Sequence, residues 1–189
     1  MKLINTLLFT AVCAATSIQT CAKTYMGLDV GEHTQTQVEQ VFAEAKASYD
    51  TGYGYKGYSE LGMFKVSSYS GFDKYGTVKS AWLYFTPDKQ LYKLEVTYGD
   101  AGSTHTLFSD ALSSKYKLIG NNSRGFNSSQ VYADDDVHIT LARNAFGFGN
   151  DQKTILTYEF QPAISEVHVM EQLIEKAIAK KNANKAGDL

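Results

Sequence analysis

The chain reads as an α+β protein: an antiparallel β-sheet with helices on one face, arranged as two helix-plus-three-strand units and a C-terminal helix. Three observations predict this. Residues 78–98, VKSAWLYFTPDKQLYKLEVTY, carry the pattern of a β-hairpin. Other stretches place apolar residues at helical spacing. The order helix-then-strands occurs twice before a last helical stretch.

In the hairpin, two apolar-rich runs flank Thr86-Pro87-Asp88-Lys89. Proline suits the second position of a type I turn because its φ is already fixed near the required value. Trp82, the only tryptophan, sits mid-strand among Leu83, Tyr84 and Phe85. In the second run Tyr92, Leu94, Val96 and Tyr98 alternate with Lys93, Glu95 and Thr97. That alternation predicts one face on a core and one in water.

The first residues read as an address. Lys2 precedes an apolar run from Leu3 to Ile18, and Thr20-Cys21-Ala22 offers a small-x-Ala cleavage site. Residues 1–22 are expected to be a secretory signal peptide, leaving residues 23–189 as a single periplasmic or secreted domain. A retained anchor is the first alternative, but the run is shorter than the roughly 18–20 residues a span needs. Lipidation at Cys21 is the second, but Ile18-Gln19-Thr20 is a poor lipobox. Cleavage removes both cysteines, Cys13 and Cys21. The remainder then has no disulfide or thiolate zinc site and must be stable by burial alone.

After a lead-in over residues 23–33, residues 34–48 predict the first helix, with Val38, Val41, Phe42, Ala45 and Tyr49 as its stripe. Thr34 with Gln37, or Thr36 with Glu39, has capping-box spacing. Residues 51–62 and 68–76 read as two loops around a strand at 63–67. Past the hairpin, Ser103 is the expected cap of a helix over 104–116, with Leu107, Phe108, Ala111 and Leu112 inward. Residues 117–129 read as a polar linker, and its two Asn-x-Ser triplets, at Asn121 and Asn127, mark surface. Strands at 130–133 and 137–143 flank Asp134-Asp135-Asp136. Residues 144–151 form a loop, and 154–160 form the last strand, ended by Pro162. Ser165 is the expected cap of a helix over 166–182, whose stripe runs through Val167, Met170, Leu173, Ile174, Ala177 and Ile178. Residues 34–100 and 103–161 echo each other weakly as a pseudo-repeat.

The segment GEHTQTQVEQVF (residues 31–42), leading into a short helix before an antiparallel meander, resembles the small bacterial envelope domains typified by the lipoprotein of the outer-membrane barrel-assembly machine. The tandem helix-plus-sheet order is similar to the β-lactamase inhibitor protein fold. The resemblance implies a binding or inhibitory protein without chemistry of its own.

The residues point the same way. The net charge of −2 is not basic enough to predict nucleic acid or an anionic membrane as partner. His33, His105, His138 and His168 form no H-E-x-x-H or H-x-H pair. Three adjacent aspartates lack the alternate spacing of a calcium loop. No G-x-S-x-G is present. Glu60, Asp73 and Asp100 are the carboxylates nearest the aromatic loops, should the chain be a hydrolase. The expectation is a protein that is not an enzyme and carries no metal or cofactor.

One feature exceeds background. Tyr53, Tyr55, Tyr58, Tyr69, Phe72 and Tyr75 lie in two Gly/Ser-rich stretches, and Phe146 and Phe148 in a third. Tyrosine offers a large contact area with two χ angles to freeze, so these eight rings are the expected binding residues. The competing reading makes them satellite core, with residues 51–66 one long strand. The expected partner is another envelope or secreted protein; a small molecule or glycan is the alternative.

Overall fold

The computed structural model describes residues 23–148 and 151–187. The leader, its cleavage site and both cysteines lie outside the described residues. Among these, eight strands form one antiparallel sheet. They are β1 (Ser48–Tyr55), β2 (Tyr58–Ser68), β3 (Val78–Phe85), β4 (Leu91–Tyr98), β5 (Lys117–Arg124), β6 (Asn127–Asp134), β7 (Val137–Asn144) and β8 (Lys153–Phe160). Their order is β1-β2-β3-β4-β8-β7-β6-β5. A helix followed by a four-stranded meander occurs twice: α1 (Gln35–Glu44) with β1–β4, and α3 (Ser103–Lys115) with β5–β8. The last strands of the two meanders pair at the centre. A single helical turn, α2 (Ser70–Asp73), joins β2 to β3. The expected units of three strands therefore have four.

The fourth strand in each unit was hidden for a physical reason. Residues 117–129 were expected to be a linker, but they supply β5 and the start of β6. β5 is an edge strand, exposed along almost its whole length, so neither of its faces carries apolar alternation. Residues 51–62 were expected to be a loop, but they are the end of β1, a tight turn at Lys56-Gly57 and the start of β2.

One face of the sheet is dry. Phe64 of β2, Leu83 of β3, Leu94, Val96 and Tyr98 of β4, Ile139 and Leu141 of β7 and Leu156 of β8 are buried there. They pack against Val38 and Phe42 of α1 and Phe108 and Leu112 of α3. Burying each such Leu or Phe contributes roughly 1.5–3 kcal/mol. The lead-in is also core: Tyr25, Met26, Leu28 and Val30 are buried in this cluster. Lys23 holds its start in place with contacts of 2.5 Å to both Asp134 and Asp135. At Gly31 (φ +95°) a Cβ would stand 2.6 Å from the Phe160 ring, so only glycine fits this approach.

Local chemistry sets the helix ends. Thr34 and Gln37 form the capping box of α1. α1 ends at Glu44, so Ala45 is exposed and Tyr49 stands on β1. α3 is capped from outside: the Asp100 carboxylate accepts from the N–H groups of Gly102 (2.7 Å) and Thr104 (2.9 Å) and from the Ser103 hydroxyl. Ser103 is therefore a donor to the cap, not the cap. Leu107 and Ala111 are exposed, because the inward stripe runs through Thr104, Phe108 and Leu112.

The expectation that all helices share one face fails at α4 (Ile164–Gly187), which follows a short 3-10 turn at Gln161–Ala163. Its seam, Val167 and Ile174 with Ile164, Met170 and Ile178, packs on Leu61, Tyr92 and Tyr84. Leu61 and Tyr84 point away from the dry face, since each neighbours a dry-face residue at odd spacing on its own strand. α4 therefore crosses the opposite face. It starts at Ile164 with Ser165 already inside it, and Leu173 and Ala177 are exposed. Tyr92 reaches α4 because of the hairpin turn. Lys89 N–H donates to Thr86 C=O (2.9 Å), and Lys89 takes a left-handed φ of 65°. Pairing then shifts between Tyr84/Lys93 and Phe85/Leu91. The inserted residue sends Tyr92 to the face opposite Leu94.

Candidate functional site

α1 and α3 cover one face of the sheet, and α4 covers only the β2–β4 turn end of the other. Among the described residues nothing else covers that second face. Its side chains follow from strand register: Lys65, Trp82, Glu95, Thr157 and Thr140 are successive partners across β2, β3, β4, β8 and β7. The next row, beside α4, is Met63, Tyr84, Lys93, Glu159 and His138.

Trp82 is half-buried at the centre of the first meander. Tyr53 of β1 meets its ring edge-on, with centroids 5.1 Å apart. Lys65 Nζ lies 5.7 Å from the Trp82 ring centre. Lys93 Nζ stands 4.9 Å from the Tyr84 ring centre and 3.7 Å from the Glu95 carboxylate. Burial, and then the Glu95 charge, push the Tyr84 hydroxyl up to about 12, so it stays a neutral donor at physiological pH. These cation–ring contacts are worth about 0.5–1 kcal/mol each at exposed sites.

The eight expected binding residues do not form one surface. Tyr69 (6% exposed) and Phe72 (1%) are core. The Asp73 carboxylate accepts from Tyr69 N–H (3.1 Å) and closes the turn of α2. The turn drives both rings inward, 4.8 Å apart, with Tyr69 5.0 Å from Phe42. Neither ring is exposed enough to meet a partner, contrary to the sequence expectation. Tyr75 packs half-buried on Phe108 at 5.3 Å. Tyr55 and Tyr58 are satellite core under α4, where the Tyr55 hydroxyl donates to Glu175 (3.1 Å). Tyr53 (40% exposed) stands on the open face beside Trp82. Phe146 and Phe148 are exposed at a distant end of the sheet. Trp82 and Tyr84 were not among the eight. The available signal was their opposition, across the hairpin, to Glu95 and Lys93 rather than to apolar partners.

The clefts are small. The one between α4 and the sheet, lined by Tyr55, Leu61, Tyr84, Tyr92 and Glu171, holds about 240 Å³. A shallow groove near β5 and β6 holds about 290 Å³. Ligand-enclosing pockets run to roughly 300–1,000 Å³.

Three carboxylates are held in the anionic form by their hydrogen-bond partners. Hydrogen bonds from Ser103, Thr104 and Gly102 hold Asp100 well below the usual carboxylate range. Burial alone would push Asp134 up, but hydrogen bonds from Lys23 and Tyr25 hold it down. Hydrogen bonds from Lys56 and Tyr55 lower Glu175. All three shifts favour the anion, whereas a general acid needs the opposite. Among the described residues no group of three or more His, Cys, Asp or Glu side chains gathers as a metal site would require. Among the described residues no helix is long and apolar enough to cross a membrane. Comparison with known proteins finds no matching family model, curated protein or solved structure.

Proposed function

We propose that this chain is a non-enzymatic secreted or periplasmic protein that binds another protein through the open face of its sheet, as an inhibitor, immunity-type factor or envelope accessory. One observation carries the reading: Trp82, flanked by Tyr53 and Lys65, stands on the face that α1 and α3 leave uncovered. Tryptophan and tyrosine dominate the energetics of protein interfaces because each brings a large, rigid ring with a polar handle. The charges around them have both signs, which suits a complementary protein surface and sets register and encounter rate. The small volume of the cleft beside α4 weighs against an enclosed ligand carrier. A glycan stacked on Trp82 is the second reading, because the ring is half-exposed and Thr97 and Thr157 share its face of the sheet.

The test is affinity capture from envelope extract with the wild-type chain and with the face variant Lys65→Glu/Glu95→Lys as baits. A stoichiometric protein held by the first and lost by the second supports the proposal. The same protein held equally by both places the contact elsewhere. A blank with both baits, together with retention on a polysaccharide matrix, moves the reading to the glycan.

A further inference from the structure

The three phenylalanines exposed among the described residues gather at one end of the sheet, away from Trp82. Phe126 (67% exposed) is the tip of the β5–β6 turn, and Phe146 (69%) and Phe148 (95%) project from the β7–β8 loop. Ala145 N–H donates to Phe126 C=O (3.1 Å), and the Phe126 and Phe146 rings lie 6.2 Å apart. The two tips are thus one platform. Gly125 (φ +59°) and Gly147 (φ +94°) supply the left-handed backbone that the bends require. Unlike the tyrosines elsewhere, these rings have no hydroxyl to satisfy in water.

The charge around them is local. The chain has only two arginines, Arg124 and Arg143, and both stand at the feet of these two tips. Register places Arg124 on the open face with Asn127 and Asn144, and Arg143 on the opposite face with Ser128 and Thr154. Lys153 pairs with Asn144 at the base of the loop. Among the described residues no acid forms an ion pair with Arg124, Arg143 or Lys153. Two acids stand near this end: Asp151, whose side chain lies against Gly147, and Asp100, already committed to α3.

We infer that this end of the sheet docks tip-first on an anionic lipid bilayer. The rings enter the boundary between headgroups and acyl chains, and the two arginines, one on each face, meet lipid phosphates. An apolar point flanked by cations is the chemistry of interfacial binding. The whole-chain charge of −2 averages over the molecule and does not describe this end, where both arginines and Lys153 stand beside the exposed rings.

The test is flotation of the protein, purified from the compartment where it accumulates and with its N-terminus defined by mass spectrometry. The vesicles are phosphatidylcholine alone or phosphatidylcholine with an equal part of phosphatidylglycerol. Wild type is expected to float with the mixed vesicles and to be released by salt. Phe126→Ser/Phe148→Ser should lower the partition at least about tenfold, with a melting temperature close to wild type because both rings are exposed. Arg124→Gln/Arg143→Gln should lower it about fivefold per arginine and abolish the preference for phosphatidylglycerol. The inference is overturned if wild type ignores the mixed vesicles, or if the Phe126→Ser/Phe148→Ser variant floats as well as wild type. It is also overturned if inorganic phosphate at matched ionic strength displaces the protein, which would mark a phosphate site, or if the tip variant loses the captured protein partner.

Discussion

The two faces of the sheet are built on the same strands and differ in what they meet. On β3, Ala81, Leu83 and Phe85 enter a dry core, while Trp82 and Tyr84 face outward between lysines and a glutamate. On β4 the same split sets Leu94 and Val96 against Lys93 and Glu95. The dry face is held by burial, a non-directional term proportional to area. The open face is held by ring edges and cation–ring pairs that leave much of each ring in contact with water. The first arrangement suits stability and the second suits recognition, because a partner can still remove that water.

The largest expected effect lies on the dry face. Leu94→Ala should cost about 2–5 kcal/mol, since Leu94 is fully buried at the sheet centre. At roughly 2–4 °C per kcal/mol for a domain of this size, the loss is readable in thermal unfolding. Any loss of partner binding in this variant should follow its unfolded fraction. Trp82→Ala should reverse the balance: a loss of about 2 kcal/mol or more in partner binding, measured by calorimetry, with a smaller change in melting temperature. Equal effects of the two substitutions on stability would erase the distinction between the faces.

Two smaller effects sharpen the account of the dry face. Asp100→Ala removes the acceptor that caps α3 and should cost about 1 kcal/mol. Asp100 is depressed in the folded chain by its hydrogen bonds. Its contribution is therefore present above the ordinary carboxylate pKa of about 3.9 and lost as pH falls below it. Denaturant titrations of wild type and variant should converge at acid pH. His105, on α3, is lowered by burial and then by Arg143, and its Nε2 is buried without a partner. The unfolded chain takes up a proton below about pH 6.5, and the folded chain resists it until lower pH. Wild type should therefore lose stability as pH falls through this window, and His105→Gln should flatten that slope.

Much of this architecture was readable in the sequence, and the parts that were not share a cause. Val78 to Tyr98 was readable because one buried face imposes strict alternation. β5 was not, because an exposed edge strand such as Leu118 to Arg124 has no face that must be apolar. Alternation also cannot say which face a C-terminal helix will choose. Tyr92 changed sides because Lys89 adopts a left-handed turn conformation, which shifts the register of everything after it. The aromatic residues stand out in the sequence, but spacing does not separate Tyr69 and Phe72, folded inward by the Asp73 turn, from Tyr53, left outside. The hairpin pattern places Trp82 on a strand. Its place on the open face needed the register with Lys65 and Glu95.

Trp82, as the only tryptophan, allows the central claim to be tested directly. Incorporating fluorotryptophan into this chain alone yields a single fluorine resonance from the open face. Adding the unlabelled captured partner should move that resonance in proportion to complex formed, and the Lys65→Glu/Glu95→Lys variant should show no movement at the same partner concentration. A partner that binds by calorimetry while the Trp82 resonance stays still would contradict the account.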